Sequence, residues 1–276
     1  MEIQPNDTAL FVKTIYDLSG YDFSGYSIKS LNRRIEKVLE DFHYEFSQLI
    51  EHIKSNPLII DSIVKSITVN TTELFRDPMV WLAIEKEIIP ELKKKEYIKI
   101  WHPGCSTGQE PYSMLILLNE HGLLDRTEFL ATDLNADVLN TARKGKFRYF
   151  LDVEYLKNFD AVFNIDPTVR YIPYEKYFLL DEKQDIFSVK PEFLNKIQFY
   201  KHDIIHDTLP GIETFDLIMC RNLLIYFEMD LQNTIIYGFY KALKKNGYLV
   251  LGYHESIIGT MENFFSKKGQ IYCKKK

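Results

Sequence analysis

Apolar residues recur at helical spacing through the N-terminal quarter of the chain. The clearest case is 28–42, where Ile28, Leu31, Ile35, Val38, Leu39 and Phe42 form one apolar face. Lys29, Arg33 and Lys37 stand four apart on the same helix and make a basic stripe, with Arg34 beside it. Gly20 and Gly25 punctuate the approach to this helix. A further helix is expected from Pro57 to Ser66, proline being suited to a first turn. Another is expected from Pro78 to Lys95. There Asp77 is placed to cap the start, and Lys93, Lys94 and Lys95 face the negative end of the dipole.

From Tyr97 onward the period changes. Short apolar runs at 98–102, 129–133, 197–202, 215–220 and 248–252 alternate with helical stretches, notably 111–120 and 231–244. That alternation predicts a parallel sheet with crossover helices, a doubly wound α/β fold. The closing run 270–275 follows a polar Lys267-Lys268-Gly269 turn and is expected to return antiparallel at the sheet edge. Residues 168–194 break the rhythm: Tyr171, Tyr174, Tyr177 and Phe178, then Ile186 to Val189, read as short strands between charged turns. They predict an antiparallel β insertion. The expected division is therefore a small all-helical domain over 1–66 and an α/β domain over 67–276.

Composition narrows the class. Hydrophobic residues make up 46% of the 276 positions, enough for a real core. The first residues carry neither the basic nor the apolar stretch of a secretory signal, and no apolar run approaches the ~18 residues of a membrane span. Cys105, Cys220 and Cys273 are odd in number and include no Cys-x-x-Cys pair, which points to a reduced, cytoplasmic setting. A net charge of -5 and the lack of an aromatic and basic platform argue against a nucleic-acid partner. His202 and His206, with Asp203 and Asp207, lack a third ligand set, so no metal is expected. Cys105 reads as a small packed residue, with no basic neighbour to activate its thiol.

The most informative local feature is the turn Pro103-Gly104-Cys105-Ser106-Thr107-Gly108-Gln109-Glu110 between an expected strand and an expected helix. A phosphate-binding P-loop needs a Lys after its last glycine, and the dinucleotide turn needs GxGxxG; here the glycines are spaced GxxxG. A ligand without a pyrophosphate fits better, and S-adenosylmethionine, an adenosine joined to an amino acid through a sulfonium, is of that kind. Asp133 ends the next apolar run, where a ribose is held in doubly wound folds. The plainer alternative is a tight turn at Gly104 and Gly108, with Asp133 capping the helix that follows.

Four stretches resemble one family, the CheR-type chemotaxis-receptor glutamate methyltransferases. They are Val69-Asn-Thr-Thr-Glu-Leu-Phe-Arg-Asp77, Gly104-Cys-Ser-Thr-Gly-Gln-Glu-Pro-Tyr-Ser113, Cys220-Arg-Asn-Leu-Leu-Ile-Tyr-Phe227 and Gly252-Tyr-His-Glu-Ser256. The resemblance implies a cytoplasmic, monomeric enzyme. It would move a methyl group from S-adenosylmethionine to glutamate carboxylates in the helical cytoplasmic region of chemoreceptors, without metal, nucleic acid or membrane insertion. By the same resemblance Asn70, Thr72, Arg76 and the Gly104 turn would reach the cofactor. Glu110 would hold its amino group, Asp133 its ribose, and Asn222 with Leu223 would lie near the adenosine. Arg76 and Tyr226 look like the pair closest to the transferred methyl, and Lys29, Arg33 and Lys37 become a docking stripe for acidic helices.

The sequence departs from the family pattern in two motifs, and its inserted segment is unusually charged, which weakens a receptor-tail docking role for it. Asp203-Ile-Ile replaces an Asn-Leu-Leu, leaving Asp203 to accept the adenine amino proton. Tyr253-His254-Glu255-Ser256 replaces a Gly-His-Ser-Glu. Two other readings share most of these features: a related methyltransferase acting on another acidic protein or a small carboxylate, and a cofactor-binding signalling protein without activity. The two departures favour the second of these, and Arg76, Asn222 and Tyr226 weigh against it.

Overall fold

The computed structural model describes residues 3–275 apart from Val69, Val169 and Glu182, and the backbone alone over 149–155. Val69 of the first quoted motif, and Val169 and Glu182 of the expected insertion, thus lie outside the described residues. The chain forms two compact units. One comprises Met1–Asn70 and Leu224–Gln232; the other comprises Thr71–Leu223 and Asn233–Lys276.

The first unit holds α1 (Pro5–Ser19), α2 (Ile28–Phe42), α3 (Phe46–Ser55) and α4 (Ile60–Ile67). Their apolar faces meet in a core of Phe11, Ile15, Leu31, Ile35, Val38, Leu49, Ile53, Ile63 and Val64, with Phe23 from the turn before α2. Ile28 departs from the expected apolar face and stands 59% exposed, because the first residue of α2 has no preceding helical turn beside it. The helix expected over 57–66 divides into a 3-10 turn, Pro57–Ile59, followed by α4.

The second unit opens with α5 (Pro78–Glu87) and α6 (Ile89–Leu92), where a single helix to Lys95 was expected. Pro90 explains the break: it has no N–H to donate, and its ring crowds the carbonyl one turn back. Then come β1 (Ile98–Pro103), α7 (Gln109–Glu120), β2 (Thr127–Asp133), α8 (Ala136–Lys144), β3 (Lys146–Arg148) and α9 (Tyr149–Phe163). After these follow β4 (Phe178–Asp181), β5 (Ile186–Val189), α10 (Pro191–Leu194), β6 (Ile197–Lys201), β7 (Phe215–Cys220), α11 (Met229–Ala242, of which the residues up to Gln232 belong to the first unit), β8 (Leu243–Leu251), β9 (Phe265–Lys268) and β10 (Ile271–Lys274).

The main sheet has the order β6-β2-β1-β7-β8-β10-β9. Its first five strands are parallel, and β10 runs antiparallel to both β8 and β9. The closing run is therefore antiparallel, as expected, but it lies one place in from the edge. Gly269, at φ 59, turns β9 back beside it. The period gave no sign of β9 because the strand reads Phe-Ser-Lys-Lys, the kind of charged sequence that protects a sheet edge.

Order reverses between β1 and β7, so the carboxyl ends of these two strands flank the topological switch point. At the opposite end, buried Asp216 of β7 is held by Lys95 and Lys244, each at 2.8 Å, and accepts the Lys99 N–H at 2.9 Å. These bonds fix β7 against β1.

The insertion is a separate three-stranded antiparallel sheet of order β3-β5-β4. It begins earlier than expected, since β3 precedes α9, and of the aromatic run at 171–178 only Phe178 lies in a strand. Three residues are too few for a period-2 pattern to show, which is why β3 is silent in the sequence. Among the described residues no helix is long and apolar enough to cross a membrane.

Candidate active site

The turn after β1 is built around backbone conformations that side chains resist. Gly104 has φ 69, and a Cβ there would lie 2.9 Å from Leu223 Cδ2; Gly108 has φ 96, and a Cβ would lie 2.9 Å from Ala142 Cβ. Between them Ser106, itself at φ 50, donates its N–H to Asp133 Oδ2 at 2.9 Å. The Asn135 N–H reaches Asp133 Oδ1 at 3.0 Å. Asp133 therefore ties the β1 turn to the end of β2. It does not cap α8, since that cap is Asn135, whose side chain accepts from the Asp137 N–H at 2.9 Å. Burial raises the Asp133 carboxyl above its ordinary value, and the N–H groups of Asn135, Ser106 and Leu134 pull it back down.

Beside this turn, the first turn of α7 carries Glu110. Its Oε1 lies 3.1 Å from Nδ1 of the fully buried His102, and its Oε2 accepts from Arg221 at 3.2 Å. Arg221 follows β7 directly, and its side chain is 1% exposed. It donates to the Arg76 carbonyl at 2.7 Å and to Asp77 Oδ2 at 2.8 Å, and it lies over the Trp81 ring. Trp81 Nε1 also donates to the Arg76 carbonyl, at 3.0 Å. One buried guanidinium thus fastens the segment before α5 to the first turn of α7. This corrects the reading of Asp77 as a capping side chain. Asp77 precedes α5 at φ 56 and makes no cap bond, because its carboxylate is drawn to Arg221.

On the other side of the switch point, Asn222 sits at φ 59, an uncommon conformation for a residue with a side chain. Its N–H donates to Glu255 Oε2 at 2.8 Å, and the Gly252 N–H donates to the same oxygen at 2.7 Å. A Cβ on Gly252 would lie 2.7 Å from that oxygen, so only glycine admits the carboxylate. Gln270 closes the arrangement by donating to the Gly252 and Glu255 carbonyls. Glu255→Ala would leave two backbone donors unpaired, at least one of them buried, an expected loss of about 2–4 kcal/mol. A thermal unfolding comparison with Glu255→Gln, which keeps an acceptor oxygen, reads that loss; equal melting temperatures would remove the clasp role.

The remaining residues expected at the site are placed as follows. Arg76 is half-buried and donates from its guanidinium to the Thr71 carbonyl at 3.4 Å; Thr72, four residues before it, is half-buried as well. Asp203 is tied into a turn after β6, accepting from the Ile205 N–H and donating its own N–H to Asp207 Oδ2, each at 2.8 Å. Asn70 and Tyr226 belong to the helical unit. Asn70 donates to the Thr68 carbonyl at 3.1 Å, and Tyr226 ends the 3-10 turn Leu224–Tyr226. Lys29, Arg33 and Lys37 are all exposed on α2. Among the described residues no group of three His, Cys, Asp or Glu side chains is gathered to hold a metal.

Two family models match nearly the whole chain: the all-alpha domain of CheR methyltransferases over residues 6–68 and their SAM binding domain over 70–273. The chain belongs to the CheR methyltransferase family. Among its CheR relatives, the Pseudomonas putida protein named as methyltransferase Cher3 is 33% identical, over 90% of this chain and 88% of that one. A chemotaxis protein methyltransferase of Listeria innocua is 28% identical over 94% and 96%. Another, from Borreliella burgdorferi, is 29% identical over 94% and 91%.

The strand ends fit the S-adenosylmethionine that a CheR domain binds. Gly104 lets the β1 turn pack closely under Leu223, and Asp133 offers carboxylate oxygens at the ribose position of the fold. The local field is negative. Burial pushes the Cys105 and Cys220 thiols well up, and carboxylates push them further: Asp133 and Glu110 act on Cys105, Glu255 and Glu110 on Cys220. Such a field favours a ligand that carries a sulfonium and an ammonium.

Two organising residues, Arg221 and Glu255, were not assigned roles by sequence. Arg221 stood inside a quoted motif, next to residues that received them. Glu255 falls three residues after Gly252, where Gly-His-Ser-Glu also places its acid. The real departures are Tyr253 and His254, while the acid is kept.

Proposed function

We propose that this protein transfers the methyl group of S-adenosylmethionine to glutamate side-chain carboxylates of chemoreceptors, giving glutamate methyl esters and S-adenosylhomocysteine. The observation that carries the proposal is the set of carboxylates fixed around the β1 turn, Asp133 by backbone N–H groups and Glu110 by Arg221. The chemotaxis protein methyltransferases of Listeria and Borreliella among its relatives supply the chemotaxis setting.

When bound, the cofactor supplies a methyl on a sulfonium, which a carboxylate takes in line while the C–S electron pair leaves on sulfur as a neutral thioether. A glutamate with a pKa near 4.3 is already ionised at neutral pH, so the chain needs no general base. Its residues must orient the carboxylate, strip its water and hold it in line. In this reading the Arg76 fork grips one carboxylate oxygen, and the Tyr226 hydroxyl orients the other. Asp133 and Glu110 hold the ribose and the amino group, while Asn70, Thr72, Asp203, Asn222 and Leu223 complete the cofactor contacts. The helical domain, with Lys29, Arg33 and Lys37 outward, draws acidic receptor helices by charge. The protein acts as a cytoplasmic monomer.

The test uses methyl-labelled S-adenosylmethionine and the cytoplasmic fragment of a chemoreceptor. Wild type is expected to place base-labile label on glutamates. Arg76→Ala is expected to lose a charge-assisted contact of about 1.5–3 kcal/mol, a fall of roughly 10- to 150-fold in turnover. Label that resists base, or an undiminished rate in Arg76→Ala, would overturn the assignment.

A further inference from the structure

Tyr226 lies between β7 and α11, where the Phe227 N–H donates to the Leu224 carbonyl at 3.0 Å. Leu224–Tyr226 is a three-residue 3-10 turn, a form with poor hydrogen-bond geometry. Its backbone is also bonded to the turn before α2. Tyr26 and Phe227 form an antiparallel bridge, flanked by the Ser27 N–H to the Tyr226 carbonyl and the Glu228 N–H to the Gly25 carbonyl, both 2.9 Å. The two rings meet edge to face with centroids 5.0 Å apart, and the Tyr26 ring makes the same kind of contact with buried Phe23. Gly25 lies so close to Leu231 that a Cβ would come within 2.3 Å of its Cδ2. At the start of α2, where Ser27 makes no side-chain cap bond, Glu228 Oε1 accepts the Ile28 N–H at 3.3 Å.

The carbonyl of Tyr226 is therefore bonded to the residue that begins α2. That helix is anchored by buried Leu31, Ile35, Val38 and Leu39, and its basic stripe starts with exposed Lys29, two residues past Ser27. We infer that the Gly25–Ile28 turn is a positioning element for methyl transfer: its bonds to 226–228 set Tyr226 in register with the helix that receives the substrate. The inference rests on the role proposed for Tyr226. A substrate helix held along α2 and the tyrosine that orients its carboxylate then share one rigid reference. Displacement of a reacting group by about 1 Å can cost about 100-fold in rate.

One substitution removes the central bond and presses the two segments apart, because a proline ring carbon takes the place of the hydrogen that points at the Tyr226 carbonyl. Ser27 has φ -56, inside the range proline imposes, and Tyr26 before it lies in the bridge to Phe227. Ser27→Pro deletes the N–H that reaches Tyr226, whereas Ser27→Ala keeps it. With labelled S-adenosylmethionine and a receptor fragment, S27P is expected to show kcat at least about 10-fold below S27A. The KM for receptor and the Kd for S-adenosylhomocysteine should stay within about 2-fold. Equal kcat in the two variants, or a loss confined to KM, would overturn the inference. If S27P loses its cooperative melt, Glu228→Ala, at an exposed position, replaces it: lower kcat at constant KM supports the inference, and unchanged kcat overturns it. A wild-type protein that esterifies no glutamate overturns the functional reading and this inference with it. Wild-type turnover with S27P equal to S27A overturns the inference alone.

Discussion

Arg221→Ala is expected to destabilise the nucleotide-binding unit by about 3–5 kcal/mol and to abolish measurable methyl transfer. The guanidinium is nearly fully buried, and its removal strands the Asp77 carboxylate, one bond to Glu110 and one to the Arg76 carbonyl at once. For a domain of this size the loss corresponds to a fall of roughly 6 °C or more in melting temperature. The catalytic loss has a separate cause. Arg221 holds the backbone carbonyl of Arg76, so the residue proposed to grip the substrate loses its support together with Glu110. Arg221→Lys is expected to recover part of the stability and little of the activity, since an ammonium supplies a charge without the planar fork that reaches three acceptors. Thermal unfolding and methyl-transfer rates on the two variants check this. An Ala variant that melts within about 2 °C of wild type would show that the network is not a structural hub.

Asp133→Ala is expected to weaken S-adenosylhomocysteine binding by about 100-fold or more, read by calorimetric titration. A carboxylate that accepts two ribose hydroxyls contributes charge-assisted bonds of about 1.5–3 kcal/mol each. The substitution also frees the Ser106 and Asn135 N–H groups that shape the turn. Asp133→Asn should fall between, because its NH2 must face one of those donors. The wild-type affinity carries a pH signature as well. Burial raises this carboxyl, so protonation on acidification removes the acceptor at a higher pH than the ~3.9 of an ordinary aspartate. Binding should therefore weaken first on the acid side. Unaltered affinity in Asp133→Ala would remove the residue from the cofactor site.

What could be read from the sequence is what is local in it. Ile98 to Glu110 announces a strand, a glycine turn and a helix within a dozen or so residues, and Asp133 closes the next apolar run. The partners of Arg221 are not local: Glu110 lies 111 positions away and Asp77 lies 144 away. Spacing gives no hint of which carboxylates a buried guanidinium will meet, so Asp77 before Pro78 was read by its local chemistry, as a cap. Glu255 joins β7 to β8 across 33 positions for the same reason. The break at Ile88 could have been foreseen, because Pro90 stands in plain view inside an otherwise periodic helix. β3 and β9 could not: one is three residues long, and the other hides its pattern behind lysines.

The helical unit is not one stretch of chain. It takes Leu224–Gln232 from far downstream, and buried Phe227 of that piece meets the Tyr26 ring edge to face. A chimera that exchanges residues 1–70 for those of a relative would thus bring a foreign Gly25-Tyr26-Ser27 turn against a native 226–228 partner. Specificity for a new receptor should transplant only when both pieces travel together. The same discontinuity limits how such a protein can diverge, because drift in the docking helices must remain compatible with a short segment that begins one residue beyond Leu223.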